Sequence, residues 1–311
     1  MSFAENAFFL LVGFAVLVKS SEYLVRALVR IARRFKMTEF LISFFVVGFA
    51  SILPELFIGV RSALHGDPAL GMGVVIGSNV IDLTLILGII ALVGRNVPIK
   101  SRFARKNYGF LAMTTLPFLL VLDGVISQVD GAILVLGYSI YAFSLLRARL
   151  DYKAVIAAKN PGSLLVQASL VIVALAALLF SSELIVNNAL ELSDQLSLPL
   201  IFTGLFIVAA GTCLPELMFS LQSLKKHHKE LAIGDVIGNV ALDSTFSLGV
   251  VALIAPITPV YNLALVSTMF MAFAALLAFI FMNEGARLTW KEGVGLIALY
   301  AVFTAVELLI K

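Results

Sequence analysis

The chain has 311 residues, 61% of them hydrophobic and only 13% charged, with a formal net charge of +3 and a mean hydropathy of +1.05. A water-soluble domain would carry about 25% charged residues, and no long polar stretch is present to form an appended soluble domain, so the composition is that of a polytopic α-helical membrane protein. Cys213 is the only cysteine, which excludes an internal disulfide and any multi-cysteine metal or iron–sulfur centre.

In chain order, "MSFAENAFFLLVGFAVLVKSSEYL" lacks a positive leader and a small-residue cleavage site, and is expected to be a retained first span at 5–31. Further apolar spans are expected at 39–64, 69–93, 107–122 and 130–148, then at 163–192, 198–224, 230–256, 260–281 and 289–310. Basic residues follow every odd span: Arg30, Arg33, Arg34 and Lys36; Arg95, Lys100, Arg102, Arg105 and Lys106; Arg147, Arg149, Lys153 and Lys159; Lys225, Lys226 and Lys229; Arg287 and Lys291. The alternate connections, "HGDPAL", "LDGVISQVDG", "LELSDQLSLP" and "PITPVYN", contain no Lys or Arg. The positive-inside rule then puts the odd-to-even connections in the cytoplasm of a cell with this protein in its inner or plasma membrane, and both termini outside.

The chain repeats itself. Glu55 and Glu216 are 216 − 55 = 161 positions apart, and the same offset relates Ser20-Ser21-Glu22 to Ser181-Ser182-Glu183, Pro54 to Pro215, Gly73 to Gly234, Gly77 to Gly238, Asp82 to Asp243 and Gly88 to Gly249. These matches fall on Gly, Pro, Glu and Asp, where chance similarity of apolar helices would not place them. The expected organisation is a first five-helix repeat at 1–150, a cytoplasmic linker at 151–162 and a second repeat at 163–311. An odd number of spans per repeat inverts the second half, and inverted repeats place a substrate site near the bilayer midplane.

"GFASILPELF" and "AAGTCLPELM" each set Pro-Glu inside an apolar span. Pro54 and Pro215 lack an N–H, so the carbonyls of Ala50 and Gly211 lose their helical partners. Irregular backbone survives in a bilayer only where protein or a wet cavity satisfies it. Each repeat thus offers a freed carbonyl, a hydroxyl (Ser51, Thr212) and a carboxylate (Glu55, Glu216), the all-oxygen set of a hard cation. The following span adds Ser78 and Asp82 in one half, and Asn239 and Asp243 in the other, each pair four residues apart on one helix face. An Asp at a helix centre costs about 2.5–3.5 kcal/mol, so four acids facing lipid unpaired would cost roughly 10 kcal/mol. Apart from Arg61, placed at the outer end of its span, no base lies nearby in sequence, so a bound cation or protons must supply the missing charge.

At these residues the chain resembles the calcium/cation antiporter superfamily, in particular its sodium/calcium exchanger branch in prokaryotes. The resemblance rests on paired Leu53-Pro54-Glu55-Leu56 and Leu214-Pro215-Glu216-Leu217, each followed by a glycine-rich span carrying an acid, and covers nearly the whole chain. It implies that Ca2+ is held by Glu55 and Glu216 with Ser51 and Thr212, that Na+ uses Ser78, Asp82, Asn239 and Asp243, and that spans one and six slide to alternate access. The chain departs from that pattern in three places. The family's Gly-Thr-Ser run is Ala50-Ser51-Ile52 in one half and Gly211-Thr212-Cys213 in the other, the second-repeat serine is Asn239, and Asp82 stands where Asn is frequent. Ile52 and Cys213 are poor sodium ligands, and the added acid favours protons as counter-ion.

The expected function is therefore a secondary antiporter exporting Ca2+ in exchange for Na+ by alternating access. An H+-coupled exchanger of Ca2+ or another divalent cation is the alternative, and a cation channel a weaker one. No H-E-x-x-H motif or hydrolytic dyad suggests an enzyme. No cofactor, nucleic acid or obligate protein partner is expected; the partners are Ca2+, Na+ or H+, and the lipid bilayer. Glu22 and Glu183 read as packing or gating residues, Cys213 as a small apolar filler, His227-His228 as a solvated turn and Trp290 as an interfacial anchor.

Overall fold

The computed structural model describes residues 3–34, 48–99, 108–148, 163–225, 229–283 and 287–310. The start of span two, the 151–162 linker, Lys36, Lys100, Arg102, Arg105, Lys106, Arg149, Lys153, Lys159, Lys226, His227 and His228 lie outside these residues.

The first half contains α1 (Phe3–Arg34), α2 (Gly48–Ser51), α3 (Leu53–Leu64), α4 (Pro68–Ile81), a π-helical turn (Asp82–Ile86), α5 (Leu87–Gly94), strand β1 (Asn96–Pro98), α6 (Tyr108–Leu120) and α7 (Gln128–Ala148). The second contains α8 (Leu164–Leu196), α9 (Leu200–Phe202), a π-helical segment (Thr203–Val208), α10 (Ala209–Thr212), α11 (Leu214–Lys225), α12 (Lys229–Leu242), a π-helical turn (Asp243–Ser247), α13 (Leu248–Ile254), α14 (Tyr261–Asn283), strand β2 (Arg287–Thr289) and α15 (Trp290–Ile310). The starts of α3 and α11 are 214 − 53 = 161 residues apart.

Among the described residues, seven helical stretches are long and apolar enough to cross a membrane: Phe3–Ile31, Pro68–Gly94, Leu164–Leu196, Leu200–Met218, Ala232–Ile254, Tyr261–Asn283 and Trp290–Ile310. The expected ten spans are met in part. Tyr108–Asp123 is a shorter apolar helix, below the ~20 residues that a crossing needs, and span two is cut at Ile52 and begins outside the described residues. Many large apolar side chains face outward, Leu165, Ile172, Ile140 and Leu309 among them, as lipid-facing surfaces require.

Two apolar cores hold the helices. The larger joins α4, α5, α12, α13 and α14; the smaller contains Leu10, Leu17 and Leu24 of α1 with Leu178, Ile185 and Ala189 of α8, leaning on Ile58, Leu70, Val74 and Val208. Glycines set the closest approaches. A Cβ on Gly88 would lie 2.9 Å from the Gly293 carbonyl, and one on Gly131 would lie 2.8 Å from that of Gly249, so α5 meets α15 and α7 meets α13 backbone to backbone. The last helix of each half starts with a capping box: Ser127 N–H donates to Asp130 at 2.8 Å, and Thr289 Oγ1 to Glu292 at 2.9 Å. β1 pairs antiparallel with β2, Val97 opposite Leu288, while Ile126 and Ile257 form a single bridge.

Candidate cation site

The Pro-Glu motifs interrupt their helices at matching points. α2 stops at Ser51 and α3 starts at Leu53, with Ile52 between them; α10 stops at Thr212 and α11 starts at Leu214, with Cys213 between them. Each proline is the second residue of the new helix, where a missing N–H costs nothing, and helical bonding resumes with Leu56 N–H to Ile52 O at 2.9 Å and Leu217 N–H to Cys213 O at 3.1 Å. Glu55 and Glu216 therefore stand in the first turn of a half-helix, beside its positive end. Asp82 and Asp243 each open a π-helical turn, in which Leu87 N–H reaches back to Asp82 O and Leu248 N–H to Asp243 O. Such wide turns occur mostly as single turns at functional positions.

The eight residues singled out from the sequence come together, and the contacts between them join the two halves. Ser51 Oγ donates to Asn239 Oδ1 at 3.1 Å, and Asn239 Nδ2 donates to Asp82 Oδ2 at 3.3 Å. Ser78 Oγ donates to Asp243 Oδ2 at 3.2 Å and to Val75 O at 3.0 Å. Thr212 donates to Ala209 O at 3.1 Å and also neighbours the Glu55 carboxyl. Cys213 packs its sulfur 3.7 Å from the Ser78 carbonyl. Asp82 lies within electrostatic reach of Glu55 and Asp243, and Glu216 of Glu55 and Asp82.

All four acids are buried: Glu55, Asp82 and Asp243 are 2% exposed and Glu216 is 6% exposed. Among the described residues, one oxygen of each, Glu55 Oε2, Asp82 Oδ1, Glu216 Oε2 and Asp243 Oδ1, has no hydrogen-bond partner. Leaving a buried charged acceptor unsatisfied costs more than the ~1–3 kcal/mol of a neutral one. Among the described residues, however, no three His, Cys, Asp or Glu side chains group closely enough to hold a metal ion by themselves. A cation placed here would have to draw part of its shell from hydroxyl, amide and carbonyl oxygens such as those of Ser51, Thr212, Ser78, Asn239 and the interrupted helices, ligands that suit a hard ion.

Arg61 does not neutralise this cluster. It pairs with Glu183 of α8, which His65 Nε2 also contacts at 3.1 Å. Glu22, the repeat mate of Glu183, is held within its own helix by Lys19 at 3.3 Å and by Arg26. Two residues near the site went unread in the sequence. Asn79 neighbours the Asp243 carboxyl, and its apolar surroundings in "IGSNVID" gave no sign of that. Asp235 acts on Asp82 and Glu216, and its spacing of four and eight residues to Asn239 and Asp243 was the available signal.

Interrupted helices that meet at buried carboxylates, within a bundle of lipid-facing helices, are those of a multi-pass membrane protein. Residues 6–147 and 166–309 match the family described as sodium/calcium exchanger protein, and the chain belongs to that family. It is 29% identical over 258 residues to the inner membrane protein YrbG of Escherichia coli, covering 79% of each chain. It is 24% identical over 345 residues to the sodium/calcium exchanger MaX1 of Methanosarcina acetivorans, covering 97% of this chain and 98% of that one. Its fold matches the sodium-calcium exchanger NCX_Mj soaked with Na+ and Sr2+, with a TM-score of 0.69 and 25% identity over 98% of this chain and 99% of that one. Family and fold are those of calcium and cation exchange.

Proposed function

We propose that the chain is a secondary antiporter that exports Ca2+ from the cytoplasm in exchange for Na+, through ten spans arranged as two inverted repeats in the inner or plasma membrane. Both termini are then extracytoplasmic, as the distribution of Lys and Arg favours. Ca2+ is held by Glu55, Glu216, Ser51 and Thr212, while Asp82, Asp243, Ser78 and Asn239 complete the sites for the counter-ion. The observation that carries this reading is the set of four buried acids gathered from both halves, each with one oxygen that has no partner among the described residues. Alternating access is supported by the packing of α1 and α8 on each other and, through a core apart from the larger one, on the apolar side chains Ile58, Leu70, Val74 and Val208, a face along which that pair could slide.

Coupling to H+ instead of Na+ is the second reading. Ile52 and Cys213 supply no hydroxyl to a sodium ion, and Asp82 adds a carboxylate able to take up a proton. Uptake of 45Ca2+ into proteoliposomes, driven in turn by an imposed Na+ gradient and by an imposed pH gradient at matched Ca2+, separates the two. Uptake driven by neither gradient rejects the antiporter.

A further inference from the structure

Glu307 stands apart from the four central acids. It lies near the end of α15 and is fully buried, and neither Oε1 nor Oε2 has a hydrogen-bond partner among the described residues. The aromatic side chains around it fix its depth. Phe303, four residues earlier on the same helix face, lies 5.4 Å ring to ring from Phe206 of the Thr203–Val208 segment and 5.4 Å from Phe270 of α14. One turn beyond this aromatic layer, toward the 310 end of α15, come Glu307, Thr203 three residues before Phe206, and Ser267 three before Phe270. Thr203 and Ser267 are fully buried as well. At this end of the bundle α3 turns into α4 through 65–67 and α8 into α9 through 197–199, connections that are both described. β1 and β2 pair at the opposite end, beside the start of α15, and the interior segments outside the described residues adjoin helix ends on that side.

Among the described residues, no base faces Glu307 from the elements around it. Leu200–Val208 and α14 carry no charged residue, and Pro68–Gly94 carries only Asp82. Tyr261, the titratable group of α14, sits in its first turn and donates to Leu122 O at 3.3 Å. On α15, Tyr300 is two turns away, and Lys291 and Glu292 are at the far end. An ionised carboxylate enclosed in this way would be a buried charge without a counter-charge. A metal shell is lacking too. The hydroxyls of Ser267, Thr268 and Thr304 turn back onto their own helices, donating to Leu263 O, to Ala264 O at 2.7 Å and to Tyr300 O at 3.0 Å. That leaves Thr203 Oγ1 as the hydroxyl of this layer without a partner among the described residues. A hard cation such as Ca2+ takes about six to eight oxygen ligands, whereas a proton needs one.

We propose that Glu307 is a proton-binding site separate from the transport site, kept as a neutral carboxylic acid between α15, α14 and the Thr203–Val208 segment. The proton is bound rather than carried. Phe206 precedes Thr212 by six residues, so the aromatic layer lies between Glu307 and the central acids. Release of the proton puts a charge into an apolar contact and loosens the last turns of α15. The chain thus has a pH response that stands whether Na+ or H+ is the counter-ion, and it goes beyond the antiporter reading without depending on it.

Infrared spectroscopy of the full-length chain in detergent, with 13C-labelled glutamate, tests the protonation directly. The Glu55→Gln/Glu216→Gln double variant removes the central glutamates and leaves Glu307 unaltered. Its spectrum at neutral pH should keep the carbonyl band of a neutral glutamic acid, the band should survive saturating Na+, and adding Glu307→Gln should abolish it. No such band would mean an ionised Glu307, paired for instance with Lys311, which lies outside the described residues, and would overturn the site. Loss of the band on adding Na+ would make it a sodium site, and a band that outlasts Glu307→Gln would belong to another residue; either outcome also overturns it.

The melting midpoint of the parental chain against pH, compared with Glu307→Gln, gives a second reading. Below the ordinary glutamate range, near pH ~4.3, folded and unfolded chains both hold the proton. Above it the unfolded chain has released the proton and the folded chain has not, so the parental chain loses stability as pH rises and the variant lacks that loss. The midpoint of Glu307→Gln should therefore move ahead of the parental one by several degrees with rising pH. A gap that is independent of pH, or one that closes, would overturn the site. Failure of the parental chain to move Ca2+ bears on the antiporter reading alone.

Discussion

Ser51 and Asn239 hydrogen-bond at 3.1 Å although 188 positions separate them in the chain, and the same Asn239 amide continues to Asp82 at 3.3 Å. One side chain of the second half thus bridges a hydroxyl donor and a carboxylate acceptor of the first. Asn239→Ala removes the bridge and leaves Asp82 short of a donor in a buried place. A hydrogen bond to a charged group is worth about 1.5–3 kcal/mol, so half-saturating Ca2+ should rise at least about tenfold. Isothermal titration with Ca2+ checks this, and unchanged affinity would detach Asn239 from the site.

Neutralising the motif acids separates binding from folding. Glu55→Gln and Glu216→Gln should each bring 45Ca2+ transport to background. In ion-free detergent neither should lower the melting midpoint, because an amide carries no buried charge to desolvate. The parental chain should be stabilised by about 2.7 kcal/mol at Ca2+ a hundredfold above Kd, and the variants by far less. Thermal melts with and without Ca2+ report both quantities; a variant that keeps the full calcium shift excludes that glutamate as a ligand.

Gly77 should not tolerate alanine. A Cβ on Gly77 would lie 2.7 Å from Leu205 Cα and 2.9 Å from Ala209 Cβ. Gly77→Ala should therefore destabilise by about 1–3 kcal/mol, the range of overpacking. An unchanged melting midpoint for Gly77→Ala would contradict this close approach of the two backbones.

The Arg61–Glu183 pair links α3 to α8 and is about one-third exposed on each side. Solvent screening limits such a pair to about 1 kcal/mol or less. Arg61→Gln, Glu183→Gln and the double variant should give a coupling of that size in a melting cycle, shrinking at 1 M salt. Additive single effects would mean that the contact contributes nothing to stability.

Cys213 is buried with its sulfur 3.7 Å from the Ser78 carbonyl, beside the expected cation ligands Thr212 and Ser78. Cys213→Ser changes little volume and adds a hard oxygen. Na+ should then inhibit 45Ca2+ uptake at several-fold lower concentration than in the parental chain. If the Na+ inhibition curve does not move, Cys213 lies outside the sodium shell.

Much of this arrangement was legible before any coordinates. Acids and prolines are costly in an apolar helix, so Pro54, Glu55, Asp82 and their mates stood out, and a shared offset of 161 linked them. The interruptions fell at Ile52 and Cys213, just ahead of the prolines, as a lost N–H dictates. Other features left no such mark. Wide helical turns have no residue preference that distinguishes "DLTLI" from an α-helical run. Arg61 was placed correctly at a span end, but which partner it meets depends on how α3 packs against α8, a tertiary contact that spacing along the chain cannot give. Asp235 has no acidic mate, so a search for repeated residues passes over it.

The wide turns at Asp82 and Asp243 each hold one residue more than an α-helical turn. Tightening either back to 3.6 residues would swing everything on one side of it by about 100° about the helix axis, taking the aspartate away from its neighbours without unfolding the helix. Asp82 and Asp243 thus sit on the two places where the backbone can most cheaply turn them away, so this cluster of acids can be dismantled by a twist of either helix.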